Sequence, residues 1–265
     1  MIDRRGAAAP LAALLLAGCG AAEPSEIATL PGAPVLRIEA TAANLIIIPE
    51  QRTDLAVEAP PAAGLTVTRQ GDTVRVTGGA RPDTAGRGQC GGSAPPVVVR
   101  APRAVQIIAR GGVSGRIGAA DSVRLSNQGC GGWRIAAVLG QAVVAQSGPG
   151  SVSLGAARAL TAQVHGRGRV EAAEVAGSLA GSVAGPGEIT VRGGVSPKAR
   201  LRLEGSGDIV HAGQVGTLDA ELSGSGRIHA AVVTGQVRKV VGGAGQVTWG
   251  RPAGRAFCGG SACSR

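Results

Sequence analysis

From about residue 120 onward, apolar side chains fall at every second position over short stretches parted by glycine, and the pattern repeats at a fixed step. Its marker is Gly-x-Gly-x followed by an apolar residue. The copies are GCGGW from Gly129, GPGSV from Gly148, GRGRV from Gly166, GPGEI from Gly185, GSGDI from Gly205, GSGRI from Gly224 and GAGQV from Gly243. Successive copies start 18 to 20 residues apart, and such self-similarity marks a repeat architecture before any single motif does. Aligned on the first glycine, three mostly apolar columns precede the corner. They are Val123, Ala142, Leu160, Leu179, Ala199, Leu218, Val237; then Leu125, Val144, Ala162, Gly181, Leu201, Ala220, Lys239; then Asn127, Gln146, Val164, Val183, Leu203, Leu222, Val241. Two more follow it: Trp133, Val152, Val170, Ile189, Ile209, Ile228, Val247, and Ile135, Leu154, Ala172, Val191, His211, Ala230, Trp249. Polar residues lie between the columns, so each repeat carries at least two half-buried strands of period two around a glycine corner.

One repeat cannot bury its own apolar face, whereas parallel strands stacked about 4.8 Å apart would share a continuous core. Antiparallel hairpins would change turn chemistry at every other strand, but here the same turn recurs in every repeat. The pattern therefore predicts an all-β parallel β-helix, or solenoid, of about 19 residues per rung and at least ~30 Å in length. Upstream, Val35 to Glu39, Leu45 to Ile48, Leu55 to Glu58, Leu65 to Thr68, Val74 to Thr77, Val97 to Arg100 and Val105 to Ala109 read as short strands of an N-terminal cap, with residues 78–96 as an excursion loop. The solenoid domain is expected over residues 35–250. The interior of so narrow a coil has little room for rings, so Trp133 and Trp249, at the first and last marked rungs, are expected to close its ends, with Phe257 at the lower one.

The first residues bear on compartment. Arg4 and Arg5, an apolar run from Ala7 to Leu16 too short to span a bilayer, and Leu16-Ala17-Gly18-Cys19 read as a lipoprotein signal peptide over residues 1–18. Cys19 would carry the lipid, residues 19–34 would tether it to the fold, and Gly20 after the cysteine favours the outer membrane of the cell envelope. Export changes the meaning of the net charge of +10. With no tyrosine, one phenylalanine and two tryptophans, stacking platforms for bases are scarce, and nucleic acid is not an expected partner. A solvated basic surface, or contact with an anionic envelope polymer such as an acidic glycan, suits the charge better. Cys90, Cys130, Cys258 and Cys263 are disulfide candidates in an oxidising compartment. Cys258 with Cys263 would close the tail of residues 251–265 and leave Cys90 for Cys130. A zinc site is not expected, because no CxxC spacing occurs and no histidine lies near a cysteine.

Gly-x-Gly does not signal a phosphate loop here, since each copy opens a strand rather than a helix. Calcium between turns is disfavoured by arginines in the column Gly132, Ser151, Arg169, Glu188, Asp208, Arg227, Gln246. That column reads as a charge ladder, and a second ladder aligns Arg200, Asp219 and Arg238 beside Arg202 and Glu221, a surface where a ligand would dock. Glu188 and Asp208, on neighbouring rungs, are the one carboxylate pair a glycosidase would use. His165 and His229 fall on outward positions and His211 in a core column, so no triad or metal set converges. No cofactor is implied.

The stretch VLRIEATAANLIIIPEQRTDLAVEAPPAAGLTVTRQGDTVRVTGG from Val35, then PPVVVRAPRAVQIIARGG, then the GSGDI and GSGRI repeats, resembles the auto-transporter adhesin head GIN domain family. The resemblance covers about residues 35 to 250. It implies an envelope β-solenoid, often on lipoproteins, with no catalytic residues to carry over. The reading that follows is a non-catalytic, lipid-anchored scaffold or adhesin-like binding protein, with a polysaccharide-active β-helix enzyme using Glu188 and Asp208 as the alternative.

Overall fold

The computed structural model describes residues 33–78 and 95–251. The expected signal segment, Cys19, the tether up to residue 32, Cys90, Phe257, Cys258 and Cys263 lie outside the described residues. The described chain contains eighteen strands in one continuous sheet wound into about eight turns, and its one helical element is a single 3₁₀ turn at Pro61–Ala63.

The regular part begins with β7 (Ser122–Gly129) and β8 (Gly132–Ile135) and runs through β9 (Val138–Ser147), β10 (Ser151–His165), β11 (Arg169–Val175), β12 (Leu179–Ala184) and β13 (Glu188–Val191). It continues with β14 (Val195–Gly205), β15 (Asp208–Gly224), β16 (Arg227–Val233), β17 (Val237–Gly242) and β18 (Gln246–Trp249). All pair in parallel with the strand one turn away. Ile189 faces Ile209 and Ile209 faces Ile228, and the column extends from Trp133 through Val152 and Val170 to Val247. On the other flank Val123, Ala142, Leu160, Leu179, Ala199, Leu218 and Val237 are likewise successive partners. The columns read from periodicity are thus physical columns. Each interior isoleucine loses its exposure entirely, a transfer that stabilises by roughly 1.5–3 kcal/mol per side chain.

Each coil has a third side beyond the two strands that the repeat marks around its corner. β10 and β15 pass through it without a break, and it places Ala157, Val175, Ser196, Val215 and Val233 inward, all buried. The cross-section therefore has three inward faces. The two glycines of a corner do different work. Gly205 has φ +120°, a left-handed conformation that side chains disfavour. At Gly207 the constraint is space, because a Cβ there would stand 2.2 Å from the Gly187 carbonyl oxygen of the preceding rung. That approach lets Asp208 N donate to the same carbonyl at 3.1 Å.

The N-terminal cap is arranged differently from a simple first rung. β1 (Val35–Glu50) stacks on β6 (Ala104–Ile117) with one bulge, and its other edge is covered by β4 (Thr73–Gly78) along the first half and β5 (Pro96–Pro102) along the second. β2 (Ala56–Glu58) and β3 (Leu65–Gln70) then add antiparallel to β5 and β4. Glu39 ties three strands together by pairing with Arg75 and Arg110. The hydrogen bond from Arg75, with the nearby arginine charges, holds the Glu39 carboxyl below the ordinary carboxylate range.

The two tryptophans part company. Trp133 is only 1% exposed and lies inside the stack, between Gly115 of β6 and Val152 of β10, so it is not an end cap. Gly115 makes room for it: a Cβ on Gly115 would meet the indole ring at 2.6 Å. Trp249 is half-buried on the last described rung, with Lys239 Nζ 5.5 Å from its ring centroid, and Val241 on that rung is 40% exposed, so the indole covers that end only in part. Lys239 occupies a core column but is exposed, its charge lying over the indole on the last described rung.

Candidate binding faces

The alternation that buries the columns leaves three outward ladders, and their side-chain lengths shape the surface. On the flank before the corners, β10 and β12 turn short or neutral side chains outward, Thr161 with Gln163 and Ala180 with Ser182. β14 and β15 turn out Arg200 with Arg202 and Asp219 with Glu221. The change in length makes a step, and against it lies an open groove of about 330 Å³ lined by all eight. Four of the five ladder residues expected from sequence therefore line one groove. The fifth, Arg238, lies one rung further, where its Nη1 reaches Asp219 Oδ1 at 3.7 Å. Arg202 donates from Nε and Nη2 to Glu221 Oε2 at 2.9 and 2.6 Å. The Arg200 guanidinium faces Asp219 in register, yet it has no hydrogen bond or ion pair among the described residues, and the ion pair of Asp219 is with Arg238. The groove thus offers one uncommitted guanidinium beside two compensated pairs.

On the flank after the corners, Glu188 and Asp208 are register partners, as the repeat requires. Arg169 Nε lies 2.9 Å from Glu188 Oε2, and Arg227 Nε 3.8 Å from Asp208 Oδ1. Thr190 also donates to Glu188 Oε1 at 2.8 Å. Asp208 lines a hollow with Arg227 and His229 that Glu188 does not line. His229 Nδ1 lies 2.9 Å from Thr248 Oγ1, and His165 is exposed. His211 is fully buried. Its Nδ1 accepts the Gly213 N–H at 3.0 Å, which leaves Nε2 to donate to Ser196 Oγ at 3.1 Å. Burial pushes the His211 imidazole below its ordinary value of 6.5, so the neutral ring fits the site. Ser196 is also fully buried and meets no solvent. No group of three or more His, Cys, Asp or Glu side chains suited to a metal occurs among the described residues, and none of their helices is long and apolar enough to cross a membrane.

Two arrangements escaped the sequence reading. Asn127 and Gln146 sit in a core column as a buried amide pair, with Asn127 Nδ2 donating to Gln146 Oε1 at 2.8 Å and to the Gly131 carbonyl at 3.1 Å. Gln146 in turn donates to the Gly129 carbonyl at 3.2 Å. Their amides serve the irregular GCGGW corner, and the polarity of that column at just this corner was the available signal. The second is a hollow of about 480 Å³ near the N-terminal end, lined by Arg116, Arg134 and three serines. Its signal is Gly-Arg-Ile at Gly115 recurring as Trp-Arg-Ile at Trp133, one rung apart.

No family model matches the chain, and no curated protein does. Among solved structures it is similar to a protein of Parabacteroides distasonis that is provisionally named a lipid binding protein, with a TM-score of 0.55 and 15% sequence identity. The likeness covers 82% of this chain and 93% of the other. At that identity the two share a fold.

Proposed function

We propose that the protein is a lipid-anchored envelope protein that binds rather than transforms its ligand, with Cys19 as the lipidated residue and a solenoid of the head GIN domain kind. The observation that carries this reading is the groove, where small outward side chains on β10 and β12 meet Arg200 and Arg202, and where Arg200 stands uncommitted. A long, rigid ladder with a polar groove suits an extended anionic polymer or a strand-like protein segment, since guanidinium groups engage carboxylates and phosphates in a fixed fork. The provisional lipid-binding name of the structural neighbour fits a binding role loosely. A disulfide between Cys90 and Cys130 and an outer-membrane location belong to the same proposal.

The test is retention of the protein on peptidoglycan and on acidic polysaccharide columns. Arg200→Ala with Arg202→Ala should release it, whereas Glu188→Gln with Asp208→Asn should leave retention unchanged and no glycan turned over. Turnover of a bound glycan that disappears in the latter variant would replace this reading with the polysaccharide-active enzyme.

A further inference from the structure

We infer that the hollow near the N-terminal end, on the flank away from the Arg200 groove, is a binding site for a phosphate group. Arg169, Arg192, Arg202, Arg227 and Arg238 each meet a carboxylate one rung away. Arg116 and Arg134 have no such carboxylate, as Arg200 has none, and unlike Arg200 they stand beside each other. They are register partners on β6 and β8, so their side chains leave the same flank about one strand spacing, ~4.8 Å, apart. Neither has an ion pair or hydrogen bond among the described residues. Like charges directly opposite on a sheet repel, and nothing in the fold requires this pair at an exposed position.

The surroundings explain what would compensate it. The ladders beside the arginines carry Ser114, Ser151 and Ser153, whose short side chains leave the hollow of about 480 Å³ open against both guanidinium groups. Ser114 Oγ accepts the Gly132 N–H at 3.2 Å and keeps its own proton to donate. The side chains of Ser151 and Ser153 make no hydrogen bond among the described residues, so their hydroxyls can donate as well. Two guanidinium forks and three hydroxyl donors around one concave surface match the three acceptor oxygens and the charge of a phosphate group. The carboxylate on the rim, Glu171, is committed to Arg192 and does not compete. The ladder that holds the arginines continues through exposed Ile46, the register partner of Arg116, to Val98 of β5. The phosphate would therefore be carried either by a lipid headgroup, with the isoleucine against the acyl region, or by a soluble phosphorylated molecule.

The experiment uses the full chain with Cys19→Ser, so that no attached lipid holds it to membranes, with and without Arg116→Gln and Arg134→Gln. Inorganic phosphate titrated by calorimetry should bind the parent at least about tenfold more tightly than the double variant, as expected for loss of charge-assisted bonds. Flotation with phosphatidylglycerol vesicles against phosphatidylcholine vesicles separates the sources. Anionic-vesicle binding lost in the double variant assigns a headgroup, and phosphate binding without vesicle preference assigns a soluble ligand. Both arginines are exposed, so the double variant should melt no lower than the parent. Arg200→Ala with Arg202→Ala should leave this binding intact, which separates the site from the groove on the other flank. Equal phosphate affinity and equal flotation for parent and double variant would overturn the inference.

Discussion

The coils around Ile189, Ile209 and Ile228 and the coils around Trp133 share one backbone register but fill it by different means. In the first set each corner repeats the Gly-x-Gly of its neighbour and each column carries a similar aliphatic, so every coil is a copy of the next. In the second set the corner is GCGGW, the column turns to Asn127 and Gln146, and a tryptophan takes the place of an isoleucine against a glycine. What a rung must keep is the parallel hydrogen-bond ladder and a filled interior; side-chain likeness from rung to rung is one way of meeting both conditions. The irregular coils meet them by pairwise compensation, Gly115 with Trp133 and Asn127 with Gln146. Compensated pairs predict coupling where copied columns predict additivity.

The largest effect is expected at the compensated indole. Trp133→Ala should cost about 3–5 kcal/mol, and Ile209→Ala about 2–5 kcal/mol, read as a lowered denaturant midpoint. The sharper contrast comes from adding Gly115→Leu to Trp133→Ala, which should recover part of the loss by refilling the space the indole leaves. Next comes the amide pair. Asn127→Leu alone strands Gln146 Oε1 in the interior and should cost about 1–3 kcal/mol, while Asn127→Leu with Gln146→Leu moves the column toward its regular form and should cost less than the sum of the single changes.

A smaller effect tests the polar exception inside the regular coils. Because the folded chain lowers the His211 pKa, the unfolded chain takes up a proton that the folded chain refuses once pH falls below about 6.5. His211 therefore leaves stability unchanged above that value and lowers it progressively below. His211→Gln should flatten the dependence of the urea midpoint between about pH 6.5 and 5 relative to the parent. The smallest effect is at the surface, where Arg202→Ala should change stability by only ~0.2–1 kcal/mol despite its two bonds to Glu221. The same change should matter for ligand retention, which separates the groove from the scaffold.

The regular coils were legible because every physical requirement leaves a residue there: a left-handed glycine, a glycine under a neighbouring carbonyl, an aliphatic two positions on. The third side was not legible, since Ala157, Val175, Ser196 and Val215 share no residue type and sit at variable distance from the corner. Trp133 misled because ring size argues for an end only if no neighbour shrinks to admit it, and Gly115 does. The ladder of Arg200, Arg202, Asp219 and Glu221 could be aligned from the repeat, but the groove needed the short side chains of Ala180 and Ser182 on the preceding rung. Which carboxylate each arginine takes depended on geometry, as Asp219 shows by turning to Arg238. The Arg116 and Arg134 pair lies where the glycine marker fades, and only the recurrence of Arg-Ile after Gly115 and Trp133 hinted that the two arginines are one rung apart.

The one-turn register of successive coils underlies every site, and paired thiols test it directly. Thr190→Cys with Val210→Cys places two outward side chains on register partners, within the Cα separation a disulfide spans. Thr190→Cys with His229→Cys places them two rungs apart, at ~9.6 Å from the strand spacing. Mild oxidation followed by mass spectrometry of non-reduced peptides should find the first pair joined in nearly all molecules and the second pair unjoined. Efficient joining of the second pair, or none of the first, would contradict the stacked-coil register from which every site described above is built.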